Sequence, residues 1–83
     1  MAADSSHPNA LSRLAPGERG TVVRVACARP VTRRLLEMGL LPGTQVQVVR
    51  VAPFGDPIEL TLRGYALSIR RSEAQAIEIE RVP

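Results

Sequence analysis

From Ile58 to Arg70 the chain alternates almost residue by residue. Ile58, Leu60 and Leu62 take one phase, and Glu59, Thr61 and Arg63 the other. After a tight turn at Gly64, Tyr65, Leu67 and Ile69 take one phase, and Ala66, Ser68 and Arg70 the other. Period-two alternation marks a strand with one buried face, so these runs predict a hairpin. Ile77 to Val82 adds a last strand, with Ile77 and Ile79 inward and Glu78 and Glu80 outward. Two earlier β-branched runs, Thr21–Val25 and Thr44–Val51, also read as strands, but their alternation slips. Val46 and Val48 share one face while Val49 and Val51 share the other, and Val22-Val23-Arg24-Val25 slips the same way. The tetrapeptide VVRV stands at both 22–25 and 48–51. A phase slip inside a strand predicts a bulge or sharp bend, the device by which a small sheet curls into a barrel.

Between these two strands the pattern changes period. Thr32 can cap a short helix, Arg33 to Met38, with Gly39 as the residue after its end. Leu35 and Met38 share a helix face. Leu36 points elsewhere, towards the side from which Leu40 emerges. Ala26–Pro30 and Ala52–Pro57 read as loops, and Ser72 with Gln75 fits a capping box for one further helical turn. Residues 1–10, polar with Pro8 and Asn9, read as a disordered tail ahead of a single domain at 11–83. The sum is a mainly β protein, an SH3-like small barrel of about five strands with one short inserted helix. Strands this short manage their edges best by closing.

Composition narrows what such a barrel can do. The chain has 83 residues, 45% of them hydrophobic, and its only aromatics are Phe54 and Tyr65. An aliphatic core follows, with few aromatic side chains left to stack on bases or line a proline-peptide groove. The net charge is +3 from 11 basic and 8 acidic residues, and every basic residue is Arg. With no Lys, few groups titrate between the carboxylates and the guanidiniums, so a small Arg excess carries the pI high. The excess is +2 over residues 1–31, +1 over 32–56 and zero over 57–83, which is no basic stripe. The longest uncharged run, Met38 to Val49, is far short of the roughly 20 apolar residues of a membrane span. The N-terminus has no secretory pattern, and one cysteine makes no internal disulfide; both point to a soluble cytosolic protein.

Catalytic inventories fail. The one histidine, His7, lies in the expected tail and leaves a nucleophile–His–Asp arrangement without a base. Gly17 and Gly20 precede a strand, not the helix a phosphate loop needs. Asp56 and Glu59 are close in sequence but read as solvated acids. A structural zinc site wants four ligands, mostly Cys and His, and the chain offers Cys27 and His7. With Asp56 these are weak candidates for a divalent metal bridging two copies of the chain. No resident cofactor is required. What remains is protein–protein interaction. Leu36, Leu40 and Leu41 crowd a very short helix, and Phe54 stands between Pro53 and Gly55 in a loop. Together they predict an apolar docking patch, with Arg33 and Arg34 as a polar rim.

The segments Met38-Gly39-Leu40-Leu41-Pro42-Gly43, then Val46 to Pro57 (VQVVRVAPFGDP), then Gly64-Tyr65 with Leu67, Ile69 and Arg70, closely resemble the FeoA family, ferrous iron transport protein A. Leu11-Ser12 with Leu14, and Gly17 with Gly20, are similar to the family's start. The resemblance covers nearly all of residues 11–82 and is densest from Arg34 to Ile79. It implies an SH3-like fold and a small cytosolic accessory protein of bacterial ferrous iron uptake. The partner it implies is FeoB, a membrane permease with a cytosolic G domain. Nothing functional carries over to Cys27 or to Ala26–Pro30. The alternatives left by the residues are a nucleic-acid-binding barrel, which the aromatic count opposes, and a metal-bridged oligomeric regulator; a homodimer is also compatible with them.

Overall fold

Each alternating run becomes a strand of one antiparallel sheet. The structure, a computed structural model, describes residues 9–83. His7 and most of the expected tail lie outside the described residues. After a single 3-10 turn at Leu11–Arg13 come β1 (Arg19–Val25), α1 (Arg29–Glu37), β2 (Gln45–Val51), β3 (Ile58–Leu62), β4 (Tyr65–Ile69), α2 (Arg71–Gln75) and β5 (Ile77–Val82). The sheet order is β4-β3-β2-β1-β5, and every neighbouring pair is antiparallel.

The two VVRV segments do the same thing in different places. In β1, Val22 pairs with Ile79 and Arg24 with Glu78, leaving Val23 as the extra residue of a bulge. In β2, Val48 pairs with Leu60 and Arg50 with Glu59, leaving Val49 extra. Both copies are buried, exposed, exposed, half-buried along their four residues. The bulged valines are turned outward, 45% and 46% exposed. A bulge adds local twist, and two of them on adjacent strands let a five-stranded sheet wrap around its own inner face.

The hydrophobic cluster on that inner face is aliphatic, with Thr44 and Glu73 as the buried polar residues among those described. Leu11, Leu35, Leu40, Leu60, Ile77 and Ile79 are among the fully buried side chains. Two expectations shift here. Ala10, read as tail, is 1% exposed and bridges to Glu78, while the Asn9 carbonyl accepts from the Ile79 N–H. Tyr65, assigned by phase to the core, is 45% exposed at the hairpin corner, where its hydroxyl donates to the Met38 carbonyl.

The helix between β1 and β2 is longer than the pattern predicts. It begins at Arg29 rather than Arg33, with Ala28 as the N-cap and Pro30 in the first turn. Proline is pre-organised for that position and loses no hydrogen bond there, so the last two residues of the expected loop at Ala26–Pro30 are helix. Thr32 is therefore not a cap but an interior residue. Its hydroxyl donates to the Cys27 carbonyl at 2.8 Å. The C-terminus follows the sequence: Gly39 takes φ +106°, and the Leu40 N–H reaches back to the Leu35 carbonyl at 3.1 Å. This left-handed residue and long closing bond make a Schellman-type end that reverses the chain. Helix α2 is fixed by Glu73, whose carboxylate accepts from the Arg70 N–H at 2.9 Å.

Candidate functional site

Helix α1 presents two faces with different surroundings. On one, Val31, Leu35 and Met38 pack on the core. Beside them Arg34 pairs with the carboxylate of Glu73, tying α1 to α2. Glu73 is only 8% exposed, so this acid is held between a guanidinium and a backbone N–H, as burial of a charge requires.

The opposite face opens on a groove of about 740 Å³. Val25 at the end of β1, Pro30 and Leu36 give it apolar walls, and Cys27 and Thr32 line it too. Arg29 and Arg33 stand along it. Helical spacing explains the set: residues 29, 32, 33 and 36 fall on one side of a 3.6-residue repeat, and 31, 34, 35 and 38 on the other. The Cys27 thiol donates weakly to the Glu73 carbonyl, 3.9 Å away. Desolvation, reinforced by the negative charge of Glu73 and opposed by Arg34, raises its pKa above the usual thiol value. A thiol so held is a poor nucleophile at neutral pH.

The expected patch divides. Leu36 and Arg33 line the groove together. Leu40 is corrected: it is 0% exposed and belongs to the core, because the left-handed turn at Gly39 sends it inward instead of along the Leu36 side. Leu41, the next residue, is 40% exposed. Arg34 is engaged by Glu73 rather than standing at a rim. Phe54, 99% exposed in the β2–β3 loop, is not among the groove's lining residues. Asp56 in that loop accepts from the Arg71 N–H at 3.2 Å and so ties the loop to α2. Sequence reasoning missed Arg29, Pro30, Val25 and Cys27 as groove residues. The signal was present, since a proline followed at three and six positions by Arg33 and Leu36 fits a helix start with one mixed face.

Among the described residues, no three of His, Cys, Asp and Glu converge on one point. Cys27 is engaged by the Glu73 carbonyl and Asp56 by the Arg71 N–H, and His7 lies outside the described residues. No described helix is long and apolar enough to cross a membrane.

The FeoA domain family matches residues 9–81, which is nearly the whole described chain. The chain belongs to the FeoA family. A fusion of Fe(2+) transport protein A with the Fe(2+) transporter FeoB, from Porphyromonas gingivalis, is 39% identical over 70 residues. The match takes in 84% of this chain and 8% of that protein, so the chain spans under a tenth of this curated relative. The solution structure of FeoA from Chlorobium tepidum is 42% identical with a TM-score of 0.85, covering 89% of this chain and 70% of that one. FeoA of Stenotrophomonas maltophilia, solved in complex with zinc and described as a prokaryotic SH3 domain protein, is 27% identical with a TM-score of 0.75. It covers 86% of this chain and 88% of its own. The SH3-like barrel expected from the alternation and its slips is thus the fold of the FeoA domain, and the family is one of ferrous iron transport.

Proposed function

We propose that this FeoA domain is a cytosolic accessory of bacterial ferrous iron uptake that binds FeoB and modulates it. The observation that carries the reading is the Porphyromonas gingivalis fusion, in which an FeoA-like segment and the FeoB transporter are one chain. Covalent joining turns a bimolecular encounter into an intramolecular one, and is useful when the two parts act in contact. The geometry supports the same reading. The apolar groove beside α1 falls within the size range of binding clefts and has guanidiniums at its edge. The role assigned to the chain is contact and not chemistry. It asks for no resident cofactor, because ferrous iron is the permease's cargo.

The test is direct binding of the purified chain to detergent-solubilised FeoB from the same cell. A saturable complex supports the proposal. Absence of a complex at micromolar concentrations of both proteins, with and without GTP, contradicts it.

A further inference from the structure

Arg29 and Arg33 are the feature of the groove that the fold does not use. Among the described residues neither guanidinium has a hydrogen bond or an ion pair, whereas those of Arg24 and Arg34 are committed to Glu78 and Glu73. No acidic residue lines the groove. Helix α1 has no acidic residue in its first turn and no side-chain cap. The positive end of the helix therefore adds to the two guanidiniums instead of being offset. The same groove is lined by the apolar side chains of Val25, Pro30 and Leu36.

We propose that this groove receives a short acidic, amphipathic segment of the partner protein. An aliphatic or aromatic side chain packs on Val25, Pro30 and Leu36. One or two carboxylates of the same segment meet Arg29 and Arg33. The inference rests on the reading that FeoB is the partner, and it adds which face of the domain is used and what chemistry meets it. A free anion would satisfy the arginines but leave the apolar lining uncovered. A nucleic acid would want aromatic platforms, and neither Phe54 nor Tyr65 lines the groove. A protein segment supplies both an apolar anchor and the negative charge, and guanidiniums suit carboxylates because they bind them through paired hydrogen bonds.

The single cysteine provides a reporter inside the groove. Purified chain and detergent-solubilised FeoB are mixed, affinity is measured, and alkylation of Cys27 by iodoacetamide is followed by mass spectrometry of the small chain. The proposal predicts that bound FeoB slows Cys27 alkylation at least about 10-fold, as exclusion from an occupied cleft should. It predicts that Arg29→Glu combined with Arg33→Glu weakens binding about 10- to 100-fold, and that added salt weakens the wild-type complex. Arg63→Glu, at the β3–β4 turn, changes the net charge in the same sense as Arg33→Glu alone. It should leave affinity within about twofold, against a clear loss for Arg33→Glu. All these arginines are exposed, so the variants should fold, which circular dichroism verifies. If FeoB binds but Cys27 reacts at its free rate and the double reversal binds like wild type, the groove proposal is overturned while FeoB remains the partner. If wild-type chain does not bind FeoB at all, both readings fall.

Discussion

The two faces of α1, taken with its C-cap Met38, are treated oppositely by the rest of the molecule. One is locked: Leu35 is fully buried, Val31 and Met38 lie on the core, Arg34 grips Glu73, and Tyr65 donates to the Met38 carbonyl where the helix ends. The other is open: Arg29 and Arg33 have no partner among the described residues, and Leu36 borders a groove. A helix of under three turns has little stability of its own, so its locked face must hold it in place. Its open face is then free to be shaped by something other than folding. The face the fold uses and the face it leaves open are separated here by about half a turn of helix, not by distance along the chain.

Substitutions should reveal this separation, beginning where the fold is most exposed to damage. Leu40→Ala should cost about 2–5 kcal/mol in denaturant unfolding, because it empties a fully buried site. Leu41→Ala, one residue later and 40% exposed, should stay within about 0.5 kcal/mol. Equal losses at the two leucines would show that the turn at Gly39 does not divide a buried side chain from an exposed one. Gly39→Ala should cost about 1–3 kcal/mol, since the residue sits at φ +106° and an added Cβ would stand 2.6 Å from the Tyr65 hydroxyl oxygen.

On the locked face, Arg34→Ala should cost about 1 kcal/mol, a figure held down by solvent because the guanidinium side chain is 53% exposed. On the open face, Arg33→Glu should change unfolding free energy by no more than about 0.5 kcal/mol, yet weaken FeoB binding. The smallest effect concerns Cys27. Its raised thiol pKa means that its alkylation rate should keep climbing at pH values where a free cysteine peptide has levelled off. By linkage, the folded state favours the protonated thiol. The small stability it contributes is complete below the ordinary thiol value of about 8.5 and fades as pH rises through the folded-state value.

The sheet was legible because its information is local. Clean alternation places β3, β4 and β5, and the slips in the two VVRV segments predict a bulge or bend in each, which the pairing locates at Val23 and Val49. Phase also put Leu60, Leu67 and Ile69 inside correctly. What the sequence hid depends on chain direction in three dimensions. Leu40 looked like an extension of the Leu36 side, but a left-handed glycine lies between them and turns the chain inward. Tyr65 has the phase of a core residue, yet it sits at the last pair of a hairpin, where the sheet ends and a backbone carbonyl is in reach. Pro30 read as a loop marker because proline is equally at home in a turn and in the first turn of a helix. That ambiguity concealed the first turn of α1, and with it the groove, since Arg29 and Arg33 share a face only if the helix begins at Arg29.

Whether this FeoA domain binds FeoB, as proposed, is decided by an equilibrium titration of detergent-solubilised FeoB with the full chain. The expected result is a saturable complex that is retained by Leu41→Ala and weakened by Leu36→Asp in a chain that still folds. No complex between wild-type chain and FeoB, in the presence or absence of GTP, would contradict it.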